Sequence, residues 1–107
     1  MRGDVYRLKA GPSQGREQAG PRFAVVVLAS RLEHLSTWLV VPTSTRANPY
    51  IFRPLVEIPG HEETRALCDA LTSVDPQQRL GAYVGFLPLS QMEQIDYALA
   101  GLLDLPG

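Results

Sequence analysis

The chain holds a single cysteine, Cys68, among 107 residues. No intramolecular disulfide can form, and the expected setting is a reducing cytoplasm. Lysine is almost missing too: one lysine stands beside nine arginines, and the formal net charge is only −1. That excludes a polycation that binds nucleic acid through bulk charge, but it leaves room for a local basic groove. Ala, Gly and Pro are also common, so GC-rich coding accounts for most of the arginine excess. Long apolar runs are absent. No stretch approaches the ~18 residues of a membrane span, and Met1-Arg2-Gly3-Asp4 leads into no signal-peptide core. No Cys/His cluster has zinc spacing, so neither metal nor cofactor is expected.

The length suits one domain over residues 1–107. A chain of this size buries roughly two thirds of its unfolded surface, so dimerisation would add useful burial. Val5–Lys9 alternates as a first strand. Ala10–Gly20 carries Gly11-Pro12, Gly15 and Gly20, the marks of a loop, and its length points to function. Phe23–Leu28 is an unbroken, β-branched apolar run, the pattern of a buried central strand. Thr37–Val41 repeats it and stops at Pro42, before a polar loop over Thr43–Pro49. Tyr50–Ile58 reads as a strand interrupted by Pro54, Arg65–Val74 as another, and Tyr83–Leu87 as a short last one.

The period then changes. Met92, Ile95, Leu99, Leu102 and Leu103 step by three and four, the stripe of an amphipathic helix, with Pro106-Gly107 as its stop. Ser90 and Glu93 have capping-box spacing. The expected fold is mainly β with a C-terminal helix: short strands curled into a small barrel with the helix on one side.

Three segments carry a resemblance to one family. Gly3-Asp4-Val5-Tyr6 resembles the Gly-Asp-aliphatic-aromatic opening of MazF/PemK toxins. Gly15-Arg16-Glu17-Gln18-Ala19-Gly20-Pro21-Arg22 resembles their Gly-Ser-Glu-Gln-x-Gly-x-Arg-Pro segment, and it is the most specific of the three. Val40-Val41-Pro42-Thr43-Ser44 resembles their Val-Pro-x-Thr. The chain departs from the pattern at Arg7, where the family often has Trp; at Arg16 for Ser; at Phe23 for Pro; at Ser44 for Thr; and at Ala70, where Asp-Gln is usual.

The resemblance implies an SH3-like small β-barrel that forms a homodimer. It implies metal-independent cleavage of single-stranded RNA to 2′,3′-cyclic phosphate and 5′-hydroxyl ends. It also implies a cognate antitoxin whose acidic, disordered tail covers the RNA groove. Arg22 would grip the phosphate, since a guanidinium fork fits the equatorial oxygens of a phosphorane. An arginine pKa above ~12 makes it a poor proton donor at neutral pH. Ser44 would donate to a non-bridging oxygen. Glu17 would act as general base or orient Arg22. Gln18 would read a base edge, and Arg16, Thr43, Thr45 and Arg46 would hold flanking RNA.

Each residue also has a plainer use. Arg22 could simply flank a strand, Ser44 could be a turn residue, and Glu17 could be a solvated carboxylate. His34 and His61 could supply an acid and a base, yet both lie in connections outside the matched segments and read as surface residues. Trp38 and Phe52 suit core packing better than base stacking, and Cys68 reads as a small buried apolar residue. Two competing functions share the fold: a gyrase poison of the CcdB type, against which the Glu17–Arg22 string argues, and an interaction module that has lost the chemistry.

Overall fold

The computed structural model describes residues 1–9 and 22–106. The loop expected over Ala10–Gly20, with Arg16, Glu17 and Gln18, lies outside them. The strands are β1 (Asp4–Leu8), β2 (Phe23–Val26), β3 (Trp38–Ser44), β4 (Leu55–Val56), β5 (Thr64–Ala66), β6 (Thr72–Val74) and β7 (Leu80–Phe86). The helices are α1 (Pro76–Arg79) and α2 (Leu89–Leu103). The strands form one antiparallel sheet in the order β4-β5-β3-β2-β1-β7, with β6 also on β3. The sheet curls into a half-barrel, and its mainly-β composition with a C-terminal helix is the fold expected from the sequence.

All four residues of β2 are buried, because both faces of this strand are covered. One face packs Val5, Phe23, Val25, Val41, Val56 and Ile58 against Met92, Ile95 and Ala98 of α2. The other face holds a smaller cluster of Ala24, Val26, Val40, Val74 and Leu80, with Tyr6, Leu8 and Trp38 around it. Period-two alternation thus assigns each residue of β1, β2 and β3 to the helix side or the opposite side.

Several boundaries differ from the pattern in the sequence. β3 runs through Pro42 to Ser44, so Thr43 and Ser44 are strand residues and not loop residues. Pro42 offers no N–H, but its carbonyl accepts from Leu67 at 2.8 Å. The expected strand over Arg65–Val74 is two strands with a 3-10 turn, Cys68–Ala70, between them. β5 pairs with Thr43 and Ser44, while β6 pairs with Trp38–Val40, so one edge of β3 serves both. Of the strand expected over Tyr50–Ile58 only β4 forms. Tyr50–Arg53 closes instead as a turn, with the Arg53 N–H on the Tyr50 carbonyl at 2.9 Å. Asp75-Pro76 starts α1, whose Gln77 N–H bonds the Asp75 carboxylate at 2.9 Å, and β7 begins at Leu80.

α2 starts one residue before Ser90, with Pro88 as its cap and no side-chain cap bond, so the expected capping box does not form. Its buried stripe is Met92, Ile95 and Ala98, flanked by half-buried Leu99 and Leu102. Leu103 is 53% exposed and lies off that stripe. A left-handed Asp104 (φ 56°) ends the helix. Among the described residues, no helix is long and apolar enough to cross a membrane.

Candidate functional site

β2 and β3 pair with Ala24 opposite Pro42, Val25 opposite Val41 and Val26 opposite Val40. The ladder ends at Ala24 and Pro42; its register, continued by two residues, would set Arg22 level with Ser44. Directly opposed residues lie about 4.5–5.5 Å apart at Cα and project their side chains to one face. That face is the one opposite α2, because Ala24, Val26 and Val40 belong to the smaller cluster. The Arg22 carbonyl accepts the Leu8 N–H at 2.9 Å, which ties this residue to β1 although it precedes β2.

The Ser44 hydroxyl accepts the Arg46 N–H at 3.1 Å. An accepting hydroxyl still has its proton to give. Ser44 is therefore fixed by the turn that follows β3 and can donate to an anion in front of the sheet. Thr45 and Arg46 are exposed beyond it. Thr43 differs: it is 2% exposed, on the helix side of the sheet. Alternation along β3 turns its side chain away from that of Ser44, so the expected RNA contact by Thr43 does not fit the structure.

A residue that sequence reasoning missed completes the row. β5 pairs Arg65 with Ser44. Ser44 thus has Arg65 beside it on β5, with Arg22 just ahead of β2 toward its other edge. Only the meeting of β5 with β3 creates this neighbour, and no local pattern signals it. The Arg65 Nη1 donates to the Arg53 carbonyl at 2.9 Å. Arg53 in turn grips Asp69 through both carboxylate oxygens, Nε to Oδ1 at 3.0 Å and Nη2 to Oδ2 at 2.8 Å. This bond holds the Asp69 carboxyl below the ordinary carboxylate range and raises the Arg53 guanidinium.

The charge on this face changes along the sheet. Away from the Arg22–Ser44–Arg65 row lies a hollow of about 580 Å³ whose lining includes Tyr6, Trp38, Glu33 and Asp75. Its carboxylates disfavour phosphate, while the arginine row attracts it. Burial, followed by Asp4, Tyr83 and Glu33, raises the Tyr6 phenol and keeps it protonated. Trp38 is half-buried, with its Nε1 on the Glu33 carbonyl at 3.2 Å. His34 borders the hollow, and His61 is exposed with its ring 4.6 Å from Phe23 on the helix side. Neither histidine lies on the arginine row. Among the described residues, no group of three His, Cys, Asp or Glu is placed to hold a metal ion.

Residues 1–103 match the family described as PemK-like, MazF-like toxins of type II toxin–antitoxin systems. A protein of Mycobacterium tuberculosis provisionally named a toxin is 39% identical over 106 residues, 98% of either chain. The fold is shared with an endoribonuclease from a mycobacterial species, solved in complex with its cognate antitoxin. There the TM-score is 0.79 at 23% identity, covering 100% of this chain and 97% of that one. A MazE–MazF structure from Deinococcus radiodurans gives a TM-score of 0.78 at 25% identity, covering 98% of this chain and 96% of that one.

Proposed function

The chain belongs to the family of PemK-like, MazF-like toxins of type II toxin–antitoxin systems, and on that premise we propose that it is a metal-independent endoribonuclease acting on single-stranded RNA in the cytoplasm. The observation that supports this reading is the Ser44 hydroxyl at the end of β3, paired with Arg65 of β5, while Arg22 immediately precedes β2, the strand on the other edge of β3. The structural relatives named as endoribonuclease and as MazE–MazF support it.

RNA brings its own nucleophile. The 2′-hydroxyl oxygen attacks the adjacent phosphorus, and the bond from phosphorus to the 5′-oxygen breaks. The leaving 5′-oxygen takes a proton from water, so the products are a 2′,3′-cyclic phosphate and a 5′-hydroxyl. Negative charge accumulates on the non-bridging oxygens as the fifth bond forms. Arg22 meets it with its planar fork, and Ser44 donates a hydrogen bond through its free hydroxyl proton. Glu17, on the preceding segment, takes the 2′-hydroxyl proton or orients Arg22, and Gln18 reads a neighbouring base. Arg16, Thr45 and Arg46 hold flanking nucleotides.

Two chains form a homodimer, and a cognate antitoxin closes the RNA groove with an acidic tail. The test is direct. Purified protein is incubated with a long single-stranded RNA in EDTA, and the ends are analysed. Discrete cuts bearing cyclic phosphate and 5′-hydroxyl are expected. A strict requirement for divalent metal, or 5′-phosphate ends, overturns the mechanism.

A further inference from the structure

We propose that Arg65 is a second phosphate-binding residue of this site, aimed by Arg53 and Asp69 as positioning residues. The proposal rests on the nuclease reading for the identity of the anion. Its support comes from geometry apart from the Arg22–Ser44 pair.

Arg65 is the partner of Ser44 in the β3–β5 register, on the side away from Arg22. Adjacent strands are about 4.8 Å apart, so Arg65 is an immediate neighbour of Ser44. Its side chain is long enough to reach an anion in front of Ser44. Arg65 is only half-exposed. Among the described residues no carboxylate lies within salt-bridge distance of it, whereas Arg2 and Arg53 each have one. A half-buried guanidinium without a neutralising carboxylate favours an anionic ligand.

Its direction is also set. One nitrogen, Nη1, is spent on the Arg53 carbonyl at 2.9 Å, which orients the plane and leaves the remaining donors for a ligand. Arg53 cannot drift, because Asp69 holds it at two points and its Nη1 reaches the Asn48 carbonyl at 3.4 Å. Its guanidinium also lies over the Tyr50 ring, 5.6 Å from the centroid. Asp69 therefore acts on the site through Arg53 and then Arg65, without touching RNA itself.

The probe is a fluorescein-labelled, fully 2′-O-methylated RNA of mixed sequence, which binds but lacks the nucleophile. Its affinity is measured from 50 to 300 mM salt, beside cleavage of the unmodified RNA. Arg65→Gln is expected to weaken binding roughly tenfold or more, and to lower the slope of log affinity against log salt by about 0.7, the share of one phosphate on a single strand. Arg65→Lys keeps the charge and should keep the slope while losing part of the affinity. Asp69→Asn should weaken binding several-fold with the slope unchanged, and Asp69→Glu should restore most of it. Thermal melting of every variant separates these effects from misfolding.

Arg65→Gln with wild-type affinity and slope overturns the assignment. If the wild type binds but does not cut, a lost slope keeps Arg65 and removes the nuclease reading. If it cuts and the slope is unmoved, Arg65 alone fails. A wild type that neither binds nor cuts removes both.

Discussion

Gly101 of α2 lies under the ring of Phe52, and a Cβ built on Gly101 would stand 2.8 Å from the ring carbon Cε1. The missing side chain is what lets the segment after β3 dock on the helix. The Phe52 ring also meets Tyr50, edge-on at 5.4 Å. Through this contact α2 supports the segment that carries Thr45 and Arg46.

That contact sets two opposing effects of Gly101→Ala. Alanine is the better helix former by about 1 kcal/mol. The new methyl, however, displaces Phe52, whose ring packs on the main core. In the wild-type background the clash should win and lower stability. In a Phe52→Ala background, with the ring removed, Gly101→Ala should stabilise by up to about 1 kcal/mol. Urea unfolding of the four proteins measures the coupling. Additive effects would show that the contact has no energetic weight.

Arg22→Ala should remove most cleavage while the protein stays folded. Losing one transition-state donor costs on the order of 10²–10³ in rate. Ser44→Thr should be nearly neutral, and Ser44→Ala should cost about 10- to 100-fold, the range for a hydrogen bond to a charged group. Thr43 cannot stand in for Ser44, since it is buried on the other side of β3. Single-turnover cleavage reads both residues. Wild-type rates in Arg22→Ala would remove it from the site.

What the sequence shows of this depends on range. The apolar run at Phe23, the alternation near Tyr6 and the three-and-four stripe from Met92 are local patterns, and they gave β2, β1 and α2 correctly. The ends of elements depend on partners. Thr43 and Ser44 belong to β3 because β5 arrives to pair with them. Ser90 does not cap, because the chain enters α2 through Pro88, two residues earlier. The Arg65–Ser44 pairing and the Arg53–Asp69 bond join residues 21 and 16 positions apart in the chain. No window of local periodicity contains them. In the sequence Asp69-Ala70 showed only as a departure from a motif, while in the fold Asp69 has a definite partner.

Cys68 should be inert in the native protein. It is 1% exposed, and burial, then Asp69 and Asp96, push its thiol from 9.0 up to about 12. The thiolate is the reactive form. Iodoacetamide at pH 8 should leave the folded protein unmodified and label it fully in urea. Stability follows the same shift. In the unfolded chain the thiol ionises from about pH 9, whereas in the folded chain it stays protonated to about pH 12. Its contribution is therefore fully present below pH 9 and is lost as pH rises through that window, by at most about 1.4 kcal/mol per pH unit. Cys68→Ala should lack this part of the alkaline decline. Rapid native labelling would contradict the burial.

The paired variant His34→Ala, His61→Ala should keep its cleavage activity. Neither side chain belongs to the Arg22–Ser44–Arg65 row, and His61 rests against Phe23 on the helix side. The pH–rate profile should be alike in wild type and variant between pH 6 and 8. An inactive but folded variant would bring back a two-histidine mechanism.

The last prediction concerns inhibition by the antitoxin. A groove built to attract RNA phosphate also attracts an acidic peptide, and a disordered acidic tail with apolar anchors can fold into it on binding. Arg46 is exposed beside Ser44, and Arg16 belongs to the matched segment that precedes Arg22. Both cations would meet either ligand. Elsewhere the chain leaves large apolar side chains in solvent, among them Phe86 at 66%, Leu89 at 75%, Tyr97 at 84% and Leu103 at 53% exposed. A second copy covering such surface would give the dimer. The expected outcome is a homodimer by light scattering that binds antitoxin and RNA in mutual exclusion. Arg46→Glu and Arg16→Glu should each weaken both ligands, and more so at low salt, where charge is less screened. If charge reversal weakened RNA alone, the antitoxin would have to bind elsewhere. A stable monomer, or a ternary complex with RNA still in the groove, would refute the shared-groove account.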